Sequence, residues 1–69
     1  MQALRLTKSQ TCDFLAIKAD KLNKLVKEDL TFPRPVKDGN TRQAPVYFDR
    51  LSLEEWWNNK RHLASAQYS

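Results

Sequence analysis

The residues best suited to chemistry lie on one face of a short helix that the sequence predicts between Ile17 and Leu30. Four apolar residues recur there at the helical period and predict a buried stripe: Leu22, Leu25, Val26 and Leu30. The opposite and flanking positions carry charges and one amide: Asp20, Lys21, Asn23, Lys24 and Lys27. An asparagine can pair with an adenine edge, while lysines reach guanine edges or phosphates. We interpret this as a DNA-reading face, with an ordinary solvated helix face as the alternative.

A second polar set follows in a segment that the sequence predicts to be a β-hairpin. Pro33 and Pro35 exclude a helix there because each fixes φ and removes a donor. Residues 36–37 and 46–48 are typical of strands, and Gly39, the only glycine, is the expected turn residue with positive φ. The long intervening loop predicts contacts with the DNA backbone or minor groove from Arg34, Lys37, Asn40, Thr41 and Arg42. The alternative is a mobile surface loop without a partner.

Other classes of chemistry find little support in the composition. Cys12 and His62 are the only residues of their types, so one chain supplies no disulfide, zinc site or Cys/His catalytic pair. We expect neither an enzyme nor a bound cofactor or metal, since the chain is short for enclosing a pocket. There is no run long enough to span a bilayer and no leader-like start, which predicts a soluble protein of a reducing compartment.

The helices before and after this region have clear capping signals. Thr7 and Gln10 form a capping-box pattern, so a first helix should begin near Lys8 and end about Leu15 or Ala16. Its inner face would be Thr11, Cys12, Phe14 and Leu15, after an extended lead-in over 1–5 in which Leu4 and Leu6 pack. A turn of about three residues would complete a helix-turn-helix.

The last helix is predicted to begin after Asp49, with Ser52 and Glu55 as a competing start. Its apolar stripe consists of Leu53, Trp56, Trp57 and the stem of Lys60, and it should end near Leu63 or Ala64, before a frayed tail. We expect Trp56 in the core and Trp57 at its edge.

The sequence thus predicts one domain over residues 1–69, ordered from about 4 to 63. The fold class is α+β and mostly helical: a winged helix-turn-helix with three short helices and a two-stranded hairpin as the wing. The net charge is +4, and residues 18–42 carry seven Lys or Arg against four acids, whereas residues 49–69 carry three of each. The positive charge therefore coincides with the expected DNA-reading surface.

Three segments resemble, in order, the small AlpA-like and excisionase-like regulators, which are relatives of the MerR winged-helix domain. Residues 6–7, 10–15, 17 and 21–27 are similar to the family's opening helix-turn-helix, 32–37 to its wing entry, and 48–50 with 53–56 to its last helix. The resemblance spans about residues 4–60. The chain differs where the family often has Gly at the turn and Ser or Thr as the next helix cap, because it has Ala16 and Lys18 there.

The resemblance implies a protein of a prophage or mobile element, located in the cytoplasm of a bacterial host, that binds duplex DNA at an attachment site or promoter. It would act as an excisionase, which bends DNA for an integrase, or as a transcriptional regulator. An integrase and neighbouring copies on DNA are then further partners. The rival hypothesis is a phage-encoded adaptor or antirepressor that docks a protein through Trp57, Tyr68 and the last helix.

In a domain this small, the expected core position of Trp56 gives a direct test of the helix assignment. We predict that Trp56→Ala lowers the free energy of unfolding by about 3 to 5 kcal/mol. Because a domain of this size is only marginally stable, this loss should leave the chain largely unfolded. Thermal unfolding followed by circular dichroism measures this. A melting transition close to that of the unmodified chain would refute the assignment.

Overall fold

Local capping signals and two prolines divide the chain into its elements. The computed structural model describes the backbone of residues 3–68 and the side chains of residues 3–64. Within these, three helices and three short strands follow one another as β1 (Arg5–Leu6), α1 (Lys8–Leu15), α2 (Ala19–Glu28), β2 (Val36–Lys37), β3 (Val46–Asp49) and α3 (Arg50–Tyr68). The α+β class is thereby confirmed.

The predicted capping box starts α1. The Thr7 hydroxyl accepts from the Gln10 amide at 3.1 Å, and the Gln10 side chain accepts from the Thr7 amide at 3.0 Å. The helix ends at Ala16, which adopts a left-handed conformation with φ 56° and ψ 45°. The next amide, that of Ile17, donates to the Cys12 carbonyl at 2.9 Å. This closure places α2 only three residues after α1, as the sequence predicts.

Helix α2 is shorter than its apolar pattern suggests. Lys18 stands at its N-cap and makes no side-chain capping hydrogen bond, which fits a residue without an acceptor. At the other end, Asp29 leaves the helix with ψ 106°, so Leu30 no longer continues the buried stripe and is 90% exposed. The prediction that Leu30 packs in the core was wrong because the helical period ends before it.

The sheet has three antiparallel strands in the order β1-β3-β2. The predicted hairpin of β2 and β3 is present, with Val36 opposite Tyr47. The expected two-stranded sheet was incomplete, since β1 adds a third strand with Leu6 opposite Phe48. Gly39 has a φ of 134°, as predicted for the one glycine of the connecting loop.

The core lies where the inner face of the sheet meets the three helices. Six apolar side chains are buried there: Leu6, Leu22, Leu25, Phe32, Phe48 and Leu53. Thr11 is also buried, and its hydroxyl donates to the Thr7 carbonyl at 2.7 Å, which satisfies the polar atom. Trp56 packs against this cluster, edge-on to the Phe32 ring at a centroid distance of 4.9 Å. Trp57 lies at the edge and is 51% exposed.

Two further apolar residues lie outside the core, contrary to prediction. Leu4 is exposed because the chain bends there and its carbonyl accepts from the Arg50 amide at 3.1 Å, so the strand begins only at Arg5. Phe14 is exposed because the buried side of the short α1 is centred on Thr11 and Leu15, which leaves Phe14 to one side.

Helix α3 begins as predicted and runs further than predicted. Asp49 accepts from the Ser52 amide at 2.9 Å and from the Ser52 hydroxyl at 2.8 Å. The helix passes Leu63 and reaches Tyr68, so it is not short. No proline or glycine follows Leu63, and the alanines and Gln67 favour helix. Met1, Gln2 and Ser69 lie outside the described residues, as does the Tyr68 side chain.

The left-handed Ala16 predicts a stabilising substitution. Because a Cβ is unfavourable in that conformation, Ala16→Gly should raise the free energy of unfolding by about 0.5 to 1 kcal/mol. The matched control is Ala19→Gly, at the first residue of α2, where the backbone is already helical and glycine should bring no gain in stability. Urea unfolding measures both. A destabilised Ala16→Gly chain would show that this turn has a different conformation.

Candidate nucleic-acid interface

The exposed face of α2 is fixed by what the helix buries. Leu22 and Leu25 turn into the core, which leaves the predicted contact residues in solvent: Asp20, Lys21, Asn23, Lys24 and Lys27. No hydrogen bond or ion pair joins any of these side chains to another side chain within residues 3–64. They are therefore available to an external partner.

These five residues divide between two surfaces. Asp20, Lys24 and Lys27 are spaced as one helical face directly opposite the core, with Asn23 beside them. Lys21 lies on the flank that faces α3, where it borders a groove with Leu25. The outer face alone thus combines two cations, one acid and one amide.

The end of β2 and the loop between β2 and β3 carry the second predicted set. Lys37, Asn40, Thr41 and Arg42 are all exposed. The loop is closed at its base by the Asp38 amide, which donates to the Pro45 carbonyl at 2.8 Å. A second backbone hydrogen bond of 3.2 Å joins the Ala44 amide to the Thr41 carbonyl. These bonds use main-chain groups and leave the Lys37 and Arg42 side chains unpaired within the described part of the chain.

Arg34 is placed differently from the other predicted contacts. Its guanidinium donates to the carbonyls of Val26 and Asp29, which are groups that the end of α2 leaves without helical partners. Arg34 therefore caps the end of α2, although the residue itself is exposed. The prediction from sequence missed this because it considered only the extended backbone around the two prolines.

Within the described part of the chain, the Asp29 side chain accepts four hydrogen bonds, and the sequence analysis did not single this residue out. Its Oδ1 accepts from the Thr31 amide at 2.9 Å and the Thr31 hydroxyl at 2.6 Å. Its Oδ2 accepts from the Trp56 indole at 3.2 Å and the Lys60 ammonium at 3.1 Å. An aspartate two residues before a threonine, just after a helix, is an Asx-turn signal that could have identified the local half of this arrangement.

These hydrogen bonds determine how Asp29 titrates. The two from Thr31, followed by those from Lys60 and Trp56, hold the pKa of Asp29 well below its ordinary value, while partial burial acts in the opposite direction. The pKa of Asp49 is also lowered, chiefly by its hydrogen bonds from Ser52. Both carboxylates therefore stay charged to a lower pH than an ordinary aspartate does.

The positive charges separate into engaged and available groups. Side-chain or backbone acceptors engage five of them: Arg5, Arg34, Arg50, Lys60 and Arg61. Among the described side chains, those without such a partner are Lys8, Lys18, Lys21, Lys24, Lys27, Lys37 and Arg42. The available charge thus lies on α1, the turn before α2, α2 itself, β2 and the β2-β3 loop, and none of these described cations belongs to α3.

The described residues contain no group of three or more His, Cys, Asp and Glu side chains that could hold a metal ion. They also contain no helix both long and apolar enough to cross a membrane. No protein-family model matches the chain, and comparisons with curated proteins and with solved structures gave no significant match.

The contacts of Asp29 predict both a stability loss and a pH dependence. Asp29→Asn should lower the free energy of unfolding by about 2 kcal/mol. The substitution removes the carboxylate charge and replaces one accepting oxygen with an NH2 group, which would then face hydrogen-bond donors. A lowered folded-state pKa stabilises the fold fully above the ordinary carboxyl value of about 3.9, and this stabilisation is lost as the pH falls toward the folded-state pKa.

Urea unfolding at pH 7 and pH 3 measures both effects. The Asn variant should lose less stability between the two pH values than the unmodified chain. The matched control is Asp13→Asn, at an exposed position, which should change stability by less than about 0.5 kcal/mol. Equal acid sensitivity in the Asp29→Asn variant and the unmodified chain would contradict the assignment.

Proposed function

We propose that the chain is a sequence-specific duplex-DNA-binding protein that uses a winged helix-turn-helix. In this proposal α1, the three-residue turn and α2 form the helix-turn-helix, with α2 in the major groove. The β2-β3 hairpin is the wing. The observation that carries the proposal is the outer face of α2, where Asn23, Lys24 and Lys27 are exposed and engaged by no other described side chain.

The chemistry of that face suits base and phosphate contacts together. Asn23 can make a paired contact with adenine, and the lysines can reach phosphates or guanine edges. Asp20 would repel phosphates unless it accepts from a cytosine amino group. Lys21, on the flank, remains within the proposed contact set because its side chain is long and exposed.

The loop supports the proposal through its charge. Lys37 and Arg42 provide cations, and Asn40 and Thr41 provide small polar groups, on a segment that is tied at its base and exposed beyond it. Such a loop can reach the backbone or the minor groove of a duplex. Arg34 is omitted from the proposed contacts because it caps α2.

The biological role that we propose follows the resemblance to AlpA-like and excisionase-like regulators. The chain would act in a bacterial cytoplasm as an excisionase, an AlpA-type transcriptional regulator, or both, with an integrase and adjacent copies as partners on DNA. The two roles share phosphate anchoring and a few base contacts. They differ in that an excisionase must bend its site.

Fluorescence anisotropy with a labelled duplex at several salt concentrations tests the binding proposal. Each phosphate contact adds about 0.9 to the steepness with which log K falls against log salt concentration. The double variant Lys24→Ala with Lys27→Ala should therefore reduce this steepness by up to about 2. Arg42→Ala should lower it by about 1. Arg61→Ala, which removes an exposed cation from α3, is the matched control and should leave it unchanged.

Base contact is tested separately with Asn23→Ala. This variant should alter the preference among duplexes of different sequence while the salt slope stays constant. Binding that ignores salt, or a loss as large in Arg61→Ala as in the α2 variants, would contradict the proposed interface.

A further inference from the structure

A groove of about 890 Å³ lies where the end of α1 and its following turn meet α2 and α3. It is open to solvent on one side, and most of its lining is apolar: Phe14, Ile17, Leu25, Trp56 and Trp57. The core packing described above leaves it unfilled. It is separate from the outer face of α2, which carries Lys24 and Lys27.

Two large aromatic side chains in this groove are turned partly to solvent. Phe14 is 43% exposed and Trp57 is 51% exposed. The Trp57 ring lies 6.4 Å from the partly buried ring of Trp56, so the exposed aromatic surface continues toward the core. Exposed aromatic surface beside a preformed depression is typical of binding hot spots, in which tryptophan is enriched.

The charges at the groove are unbalanced. Glu54, on its edge, accepts from Arg50 at 3.2 Å, and Lys60 is occupied by Asp29 at 3.1 Å. Lys21 is the remaining lining cation and has no partner among the described residues. The groove therefore presents apolar surface next to one uncompensated positive charge.

We propose that this groove docks an amphipathic helix of a partner protein, with its apolar side chains on Phe14 and Trp57 and a carboxylate facing Lys21. A small molecule would leave too much of its own surface in water in so open a site, because such ligands are usually mostly enclosed. A helix that lies in a groove keeps its polar face in solvent, so the open side of the groove leaves none of its apolar face in water. The uncompensated lysine selects an acidic partner over a basic one.

This inference shares Lys21 with the proposed DNA contacts and otherwise uses a different surface. A helix in the groove would occupy Lys21 while the outer face with Lys24 and Lys27 stays free. The DNA proposal can therefore fail without affecting this one, and the reverse also holds.

The test uses three synthetic helical peptides of about 16 residues, a length at which helices become stable enough to bind as such. The first has Leu at positions i, i+4 and i+7 and Glu beside them. The second has Lys in place of Glu, and the third has Ser in place of Leu. Amide and indole chemical shifts of the full chain report the binding, together with a blue shift of the tryptophan fluorescence.

We expect the acidic peptide to bind and to shift residues 14–17, 21–25 and 56–57. The basic peptide should bind about tenfold more weakly, and the Ser peptide should give no shifts. Trp57→Ala should weaken the acidic peptide about tenfold or more, whereas Leu51→Ala, at a 54% exposed position of α3 outside the groove, should not.

Charge reversal supplies the second matched pair. Lys21→Glu should reverse the preference between the acidic and basic peptides, while Lys24→Glu, one turn away on the outer face, should leave it unchanged. If Trp57→Ala fails to fold, Phe14→Ala replaces it as the groove variant.

Four results of the peptide experiments would overturn the inference. They are the absence of binding by the acidic peptide at millimolar concentration, equal binding of acidic and basic peptides, shifts that map outside the groove, and equal damage from Leu51→Ala. Concentration-dependent broadening of the groove resonances without peptide would assign the groove to a second copy instead. Shifts there on adding duplex DNA would assign it to nucleic acid.

Discussion

The architecture depends on the carboxylate of Asp29 at the end of α2. It accepts hydrogen bonds from Thr31, which turns the chain out of the helix, and from Trp56 and Lys60, which belong to α3. The Asp29 carbonyl also accepts from Arg34 at 2.9 Å. One residue thus joins the end of α2, the segment leading into β2 and the last helix. The four hydrogen bonds hold the carboxylate in one position and lower its pKa, in a domain whose core is small.

The exposed cations on one side of the molecule take no part in these contacts. The cations that hydrogen-bond within the fold are Arg5, Arg34 and three residues of α3. Those of α2 and of the β2-β3 loop have no partner among the described side chains. Buried Leu22 and Leu25 fix the rotation of α2, so Lys24 and Lys27 must point outward. A rigid helix that presents unpaired cations and one amide is suited to a large anionic partner with readable edges, which is the basis of the proposed DNA binding.

Features set by neighbouring residues were predictable from the sequence. The Thr7 and Gln10 capping box, the Asp49 cap and the strands around Gly39 are local patterns, and the structure has them. Features set by contacts between distant segments were not. Strand β1 exists because Leu6 pairs with Phe48, and Arg34 caps a helix because the chain turns back onto it. The Asp29 contacts with α3 span about thirty residues of sequence, which no periodicity reveals.

The most direct test of the central claim is a titration of isotope-labelled protein with a generic duplex, followed by amide chemical shifts at two salt concentrations. The account predicts shifts in residues 20–28 and 36–43 that weaken as salt is raised, with α3 largely unaffected. The absence of shifts in both segments would contradict the proposed DNA binding, as would shifts that are confined to the Trp57 region and do not depend on salt.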